Sequence, residues 1–370
     1  ALAIAEKAYG KDNLIYAQSL EILARLQNNL GDVEGAKKSI SEAIRIISKI
    51  FSPKHIQNAP FLSSLAVIDI SENVKQNFAS AEEKLLQSQE IIEKTFDKMH
   101  PQYAEILQTM SALYLEVKGK NQQAINFLNQ AEQIWIKKFP TKENINFAKI
   151  AALKAEAYLQ QGNIQAAEQS LLEARSIYTK IFGEQHEGVV KTNSKLGRVY
   201  YMKKDYENAN QALLKSTAEY LNYVKKFFPF LSEKQKAKYW YSIQGDFEFF
   251  KNLVLAQLST KPELVAQLYN QLLQTKGLLL DNHLRVRNQI LASNNAELIK
   301  SYRQLLNKKE LYINSLEMSL AERKRINTDA LEKEIASLEK QINAETAKIG
   351  LHLSNDQEIT WKDIQKQLKE

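Results

Sequence analysis

Residues Asn193–Tyr220, NSKLGRVYYMKKDYENANQALLKSTAEY, contain two helical patterns separated by a polar break. Gly197 precedes the break, and Ala209, Leu213 and Ser216 follow it at helical spacing. Small residues seven apart on the second helix allow its backbone to approach the first helix, and the aliphatic residue between them fills the groove. This stretch therefore predicts a helical hairpin.

The same pattern recurs with a period of about 43 residues, so the hairpin is an internal repeat. A small residue opens each copy of the pattern; an aliphatic residue lies four positions later and a second small residue seven positions later. These positions are Ala36, Ala81, Ala124, Ala167 and Ala209; Ile40, Leu85, Leu128, Leu171 and Leu213; and Ala43, Ser88, Ala131, Ala174 and Ser216. Because one hairpin cannot bury its apolar face alone, such repeats stack into a solenoid.

A related turn separates successive repeats. It reads IFSPKHI (Ile50–Ile56), TFDKMHP (Thr95–Pro101) and IFGEQHE (Ile181–Glu187), and Glu143 occupies the equivalent histidine position in the third repeat. The histidines of these turns, His55, His100 and His186, lie in different repeats, so no metal site is expected there. We predict that they cap helices or stabilise the turns.

Glycines mark the break between the two helices of several repeats. Gly31, Gly119 and Gly162 stand where the C-terminus of a helix favours a left-handed residue. The second repeat departs from the pattern, because Asp69 stands where the other repeats have Gly or Ala. Its segment ISENVKQNFA (Ile70–Ala79) predicts a longer loop.

Composition excludes several classes of function. The chain has 370 residues, 44% of them hydrophobic and 25% charged, and it has no cysteine, so disulfides, thiolate metal sites and a cysteine nucleophile are absent. No apolar run is long enough to cross a membrane. The net charge of +7 arises from interleaved signs along the helices, which is typical of solvated surfaces, and nucleic-acid binding is not expected. No phosphate-binding glycine loop, zinc-protease motif or nucleophile elbow occurs, so no cofactor, metal or catalytic residue is predicted.

The regular pattern stops near Phe228 and an aromatic stretch follows. Residues Phe227–Phe250, FFPFLSEKQKAKYWYSIQGDFEFF, include nine aromatic side chains. Pro229 predicts the end of the last repeat helix, and Ser232 predicts the start of another. We interpret the aromatic residues as a core that closes the end of the solenoid, with an exposed partner site as the alternative.

Two later segments have apolar residues spaced as in a coiled coil. The first contains Leu298, Tyr302, Leu305, Tyr312 and Leu316, and the second contains Leu331, Ile335, Leu338 and Ile342. These spacings predict a long antiparallel helical hairpin. An intermolecular coiled coil, which would give a homodimer through residues 296–349, is the alternative.

The repeats resemble the tetratricopeptide repeat (TPR) family. Leu196–Gly197, Tyr200, Ala209, Leu213 and Ser216 match the TPR pattern, while the long period and the turn with its histidine are similar to the repeats of kinesin light chains. We therefore predict an all-α fold: a right-handed α-solenoid of TPR hairpins over residues 1–228, followed by a helical linker that contains the long antiparallel hairpin. Residues 1–13 form a partial repeat, and about five repeats follow it.

The second half of the chain resembles the helical segment that joins TPR repeats to CHAT domains, which are caspase-like peptidase domains found mostly in bacteria. The similar stretches are LSEKQKAKYWYSI (Leu231–Ile243), LYNQLLQTKGLLLDNHLRVRNQI (Leu268–Ile290), ELIKSYRQLLNKKELY (Glu297–Tyr312) and ITWKDIQKQL (Ile359–Leu368). The resemblance implies that residues 229–355 are a linker and that residues 356–370 begin a downstream domain. The catalytic His and Cys of that family lie beyond this point, so this chain is expected to be non-catalytic.

The TPR resemblance also implies a binding surface, because the first helices of successive TPR repeats line a concave groove that holds a peptide. The predicted groove residues are Glu21, Arg25, Asn28 and Asn29 in the first repeat; Lys149, Glu156 and Gln160 in the fourth; and Lys191, Ser194, Arg198 and Tyr201 in the fifth. Lys191, Ser194 and Arg198 share one helix face and suit a carboxylate.

Two hypotheses for the function follow. In the first, the chain is a cytoplasmic module that recognises a protein or peptide and controls an attached caspase-like peptidase. In the second, it is an adaptor or scaffold that self-associates through its C-terminal hairpin. Neither hypothesis involves a nucleic acid or a membrane.

Overall fold

The structure, a computed structural model, describes residues 2–29, 32–71, 75–117, 119–228, 231–276, 278–317, 327–353 and 360–367. All helices longer than one turn in these ranges are α-helices, and none of these ranges contains a strand. The helices are α1 (Leu2–Tyr9), α2 (Leu14–Asn29), α3 (Val33–Ile50), α4 (Asn58–Ser71), α5 (Lys75–Thr95), α6 (Pro101–Leu115), α7 (Asn121–Lys138), α8 (Ile145–Gln160), α9 (Ile164–Phe182), α10 (Glu187–Met202), α11 (Tyr206–Phe227), α12 (Glu233–Leu255), α13 (Glu263–Thr275), α14 (Leu278–Ala292), α15 (Ala296–Glu317), α16 (Thr328–Leu353) and α17 (Trp361–Gln367). The prediction of an all-α fold is confirmed.

The helices form two compact units, which we call unit 1 (residues 1–212) and unit 2 (residues 213–370). The division falls within α11. The sequence-based boundary at residue 228, and the start of a further domain at residue 356, stay predictions.

Unit 1 is a row of helical hairpins. From α2 to α10, each helix packs against the next helix in the chain. The first helices of neighbouring repeats also contact one another, because α2 touches α4, α4 touches α6 and α6 touches α8. This pattern of contacts is that of a solenoid, in which each repeat rests on its neighbours. The first helices consequently lie side by side and form one wall of unit 1.

The recurring small residues lie at the contacts between helices. All five alanines that open the pattern are fully buried, and so are the aliphatic residues four positions later: Ala36, Ala81, Ala124, Ala167 and Ala209, with Ile40, Leu85, Leu128, Leu171 and Leu213. Burying one such aliphatic side chain stabilises the fold by roughly 1.5–3 kcal/mol relative to leaving it exposed. A larger side chain in place of an alanine would force the helices apart.

The turn histidines act as the sequence predicted. His100 and His186 are the N-cap residues of α6 and α10, and His55 lies in the turn before α4. In each case the imidazole Nδ1 accepts the backbone N–H of the residue two positions later. The pairs are Gln57 N–H to His55 (3.3 Å), Gln102 N–H to His100 (3.3 Å) and Gly188 N–H to His186 (3.1 Å).

Each of these imidazoles also stacks on the phenylalanine four residues earlier. The distances between ring centroids are 4.5 Å for Phe51–His55, 4.0 Å for Phe96–His100 and 4.2 Å for Phe182–His186. One side chain thus ties the end of a second helix to the start of the next repeat. The recurrence of the turn follows from this double role.

In the turn after the third repeat, a different residue caps the following helix. Asn144 rather than Glu143 is the N-cap of α8, and its side chain accepts the N–H of Asn146 at 2.9 Å. Glu143 pairs instead with Lys180. Asparagine is among the residues best suited to an N-cap, so the capping position has moved by one residue.

The glycines of the breaks have the predicted conformation where they are described. Gly119 and Gly162 have φ angles of +86° and +75°, in the left-handed region. Gly31 and the loop residues 72–74 of the second repeat lie outside the described residues.

Asp69 occupies a small-residue position with only 5% of its surface exposed, and it is paired with two lysines. Its carboxylate lies 3.2 Å from Lys37 Nζ on α3 and 2.9 Å from Lys84 Nζ on α5. The ion pairs therefore join α4 to the helices on both sides. They compensate for a charge that would be costly to bury alone.

Unit 2 has its own apolar core. Phe228, Phe247 and Phe250 of the aromatic stretch are buried, whereas Tyr241 is exposed. Ser232 begins α12 through a capping box with Gln235, as the sequence predicted. The stretch therefore contributes mainly to the core.

The long hairpin of unit 2 consists of α15 and α16. Its seam is the cluster of Leu298, Tyr302, Leu305, Leu331, Ile335 and Ile342, packed between helices of the same chain. The ion pairs Lys308–Glu334 and Lys309–Glu339 also join the two helices. The predicted intramolecular hairpin is confirmed; Leu316 belongs to the residues whose side chains are not described.

A buried polar group attaches the N-terminus of α12 to this hairpin. Glu339 on α16 accepts the backbone N–H of Glu233 at 3.0 Å and pairs with Lys309 at 2.7 Å. Lys236 is fully buried beside it, 3.0 Å from Glu233. Burial lowers the pKa of the Lys236 amine, and the nearby carboxylates of Glu233 and Glu339 oppose that shift.

We predict that two substitutions of His100 distinguish the contribution of its N-cap hydrogen bond from that of its ring contact with Phe96. His100→Ala should lower the free energy of unfolding by about 1 kcal/mol, because it removes an N-cap acceptor. His100→Asn should lose less, because asparagine restores the acceptor without the ring. Urea unfolding monitored by circular dichroism measures both, and an alanine variant as stable as the wild type would contradict the capping role.

We predict that Asp69 matters because of its lysines. Asp69→Ala should destabilise unit 1 by about 1–3 kcal/mol, because it leaves two partly buried ammonium groups without their anion. Adding Lys84→Met to Asp69→Ala should recover part of that loss. The midpoint of urea unfolding measures both effects. A double variant that is less stable than Asp69→Ala alone would contradict this account.

Candidate functional site

The first helices of the first four repeats enclose a groove of about 700 Å³. It is lined mainly by residues of α2, α4, α6 and α8, all within unit 1. Five of the predicted residues line it: Glu21, Arg25, Asn28, Asn29 and Lys149. The structure thus brings residues of repeats one and four, about 120 positions apart in the sequence, to one surface.

The other two predicted residues of the fourth repeat do not line this groove and have partners elsewhere. Glu156 pairs with Lys195 at 2.8 Å. The side-chain amide of Gln160 donates to the backbone carbonyl of Leu115 at 3.2 Å. Both contacts join the fourth repeat to a neighbouring repeat.

The predicted residues of the fifth repeat also lie outside the groove. Lys191 pairs with Glu187 at 2.6 Å, and Ser194 is only 5% exposed. Tyr201 lies against Tyr206, with ring centroids 5.9 Å apart. The last of the four, Arg198, also has an interaction of its own. A carboxylate site formed by Lys191, Ser194 and Arg198 stays a prediction.

No groove residue was predicted in the second and third repeats, although both repeats contribute to the lining. The lining residues that it missed include Ser63, Ser64, Gln102, Glu105 and Thr109. Counting back from the small-residue position, as in the other repeats, would have found Ser63 and Thr109. In the second repeat the small-residue position is occupied by Asp69, which makes the position hard to recognise. In the third repeat Glu105 lies one residue before the position that the count gives.

Hydrogen bonds fix the polar side chains at one end of the groove. Ser64 donates to Glu21 at 2.7 Å, and Arg25 lies 3.7 Å from the same carboxylate. Ser71 donates to the side-chain oxygen of Asn28 at 2.6 Å. The two serine hydrogen bonds cross from α4 to α2, so they hold the first two repeats together and orient the groove residues.

The middle of the groove contains the carboxylate of Glu105 on α6. Among the described residues, no hydrogen bond or ion pair reaches this carboxylate. The side chain is exposed, yet the surrounding helices displace enough water to raise its pKa. The charges of Lys149 and Arg25 oppose that shift in part.

Small and apolar residues complete the surface between these polar groups. Val67, Ala112, Ala152 and Leu153 line the groove, and Val67 is 44% exposed. Such a surface can hold apolar side chains of a ligand, while hydroxyl, amide and charged groups bond to its polar atoms.

Other kinds of site are not found in the described part of the chain. No group of three or more His, Cys, Asp or Glu side chains there is placed to hold a metal ion. In the same ranges, no helix is long and apolar enough to cross a membrane.

Comparison with known proteins gives one family match and several structural likenesses. Residues 147–220, which extend from α8 into α11, match the tetratricopeptide repeat family. No curated protein matches the chain significantly.

Solved structures that resemble part of the chain include three of low sequence identity. Two structures of a Podosopora anserina protein, described as a kinesin light chain with nearly identical TPR-like repeats, are each 22% identical. They cover 56% and 58% of this chain and 95% and 98% of their own, with TM-scores of 0.42 and 0.43. BtubC (BKLC) from P. vanneervenii is 18% identical and covers 63% of this chain and 92% of its own, with a TM-score of 0.42.

Proposed function

We propose that this chain is a protein-recognition module that binds an extended segment of a partner protein in the groove of α2, α4, α6 and α8. The matched repeats imply a protein-interaction or scaffolding role. The observation that carries the proposal is the groove itself, which combines hydrogen-bonding, charged and apolar side chains from four successive repeats.

The dimensions of the groove suit an extended peptide. Neighbouring packed helices lie about 10 Å apart, so the path from α2 to α8 is about 30 Å long. An extended chain advances about 3.3 Å per residue and would cover that path with about nine residues. Amide and hydroxyl groups along the wall can bond to the backbone of such a peptide.

We further propose that the module controls an attached caspase-like peptidase. The support is the resemblance of residues 231–368 to the linker between TPR repeats and CHAT domains. Unit 2 would then connect the recognition surface to the peptidase.

A second candidate is an adaptor that self-associates through the hairpin of α15 and α16. The observation that favours it is a set of exposed apolar side chains on α15, namely Leu306, Leu311 and Ile313. These residues lie apart from the buried seam and would be covered in a dimer.

We predict that filling the groove abolishes peptide binding. Peptides selected from a random twelve-residue display library on the whole chain should bind Val67→Trp at least about tenfold more weakly, because an indole would occupy the groove. Leu86→Trp is the matched control, since Leu86 is a similarly exposed residue (51%) outside the groove. Fluorescence anisotropy measures both affinities, and the absence of selected peptides, or equal binding by all three proteins, would sink the proposal.

We predict that the two functional roles give different results in the natural protein that contains this sequence. If the module is regulatory, Val67→Trp should change the activity of a peptidase domain in that protein, whereas Leu86→Trp should not. If it is a self-associating scaffold, the chain should have the mass of a dimer in light scattering, and Leu306→Lys with Ile313→Lys should give a monomer. If the peptidase activity of Val67→Trp equals that of the wild type, the regulatory proposal is wrong. If the wild-type chain is a monomer, the scaffold proposal is wrong.

A further inference from the structure

We propose that the segment bound in the groove carries a lysine or arginine that pairs with Glu105, between acidic residues that face Arg25 and Lys149. This inference rests on the proposed function, because it names the class of peptide that the groove selects. It identifies Glu105 as the residue that determines specificity at the centre of the site.

Within the described part of the chain, Glu105 has no side-chain hydrogen bond or ion pair. The opposite is true of Glu21, the other groove carboxylate, which accepts a hydrogen bond from Ser64. Among the described residues, nothing within the protein satisfies the oxygens of Glu105, although it lines the groove. A carboxylate in such a position accepts hydrogen bonds, and a charged donor gives the strongest ones.

The surroundings of that carboxylate also favour a bound cation. Water is partly excluded around Glu105, so its ionised form is less well solvated than on an open surface. A cation from a ligand would restore that solvation. A metal ion is a weaker candidate, because no cluster of three ligating side chains occurs in the described ranges.

The order of charges along the wall indicates which residues should flank the basic residue of the ligand. Arg25 is on α2, Glu105 on α6 and Lys149 on α8, so the groove presents positive, negative and positive charges in turn. The side chain of Arg25 is 69% exposed and only 3.7 Å from Glu21, and Lys149 has no ion pair among the described residues. Both are accessible to a ligand carboxylate.

The order of these charges gives a testable sequence pattern. Because the groove is lined by α2, α6 and α8 in that order, an extended peptide would carry its basic residue between two acidic residues, one facing Arg25 and the other facing Lys149.

Binding of a basic side chain should depend on pH. The charged or titratable groups whose fields reach Glu105 are Lys149 on α8, Arg25 on α2, His100 at the start of α6 and Lys138 at the end of α7. A ligand cation favours the ionised carboxylate, so binding lowers the pKa of Glu105 and is strongest above it. Because the free pKa is raised, affinity should fall as the pH drops towards mildly acidic values.

The test uses the whole chain and a random twelve-residue peptide library. Peptides enriched on the wild type should contain the basic residue flanked by acidic ones. Glu105→Gln, which keeps the shape of the side chain, should weaken the best peptide by about tenfold and remove the loss of its affinity on mild acidification. Glu90→Gln is the control, because Glu90 on α5 pairs with Lys94 and does not line the groove.

A second comparison isolates the pair itself. Replacing the basic residue of the peptide with glutamine should weaken binding to the wild type but should have no further effect on Glu105→Gln. Selected peptides that require an open groove, as shown by Val67→Trp, but lack the basic residue or bind Glu105→Gln normally would overturn this inference and leave the proposed function intact. A library that yields no groove-dependent peptide would overturn the proposed function as well.

Discussion

The close approach of neighbouring helices at the recurring alanines is the constraint on which unit 1 depends. Ala36, Ala81, Ala124 and Ala167 are buried completely, and each allows an aliphatic residue one turn later to fill the space between two helices. Because every repeat uses the same contact, the first helices lie side by side along one wall. The groove follows from this arrangement, since polar residues on the wall face solvent while the opposite faces are buried.

The turns extend the same constraint from one repeat to the next. A stack of hairpins needs a fixed angle between the end of one repeat and the start of the next, because a loose connection would let neighbouring faces separate. His100 supplies a hydrogen bond to the next helix and a ring contact to the previous one. Asn144 supplies the hydrogen bond alone, and Trp135 stacks on Phe139 before it. Different residues thus meet one geometric requirement.

The sequence predicted the features that depend on local spacing. The hairpins, the capping role of the histidines, the left-handed Gly119 and Gly162, and the hairpin of α15 and α16 all follow from periodicity or from the conformational preferences of single residues. The partners of Asp69 did not follow from spacing, because Lys37 and Lys84 reach it from two other helices. The isolation of Glu105 could not be predicted either, since it is a property of the space between three repeats. Those features require the tertiary structure.

The double ion pair of Asp69 limits how this array can evolve. Repeats that touch only through alanine and leucine can be duplicated, deleted or exchanged one at a time, because each copy presents its neighbours with the same surface. The hairpin that contains Asp69 differs, because its carboxylate pairs both with Lys84 of the same hairpin and with Lys37 of the preceding repeat. A recombination event that preserves both ion pairs must carry residues 37–84 as one block.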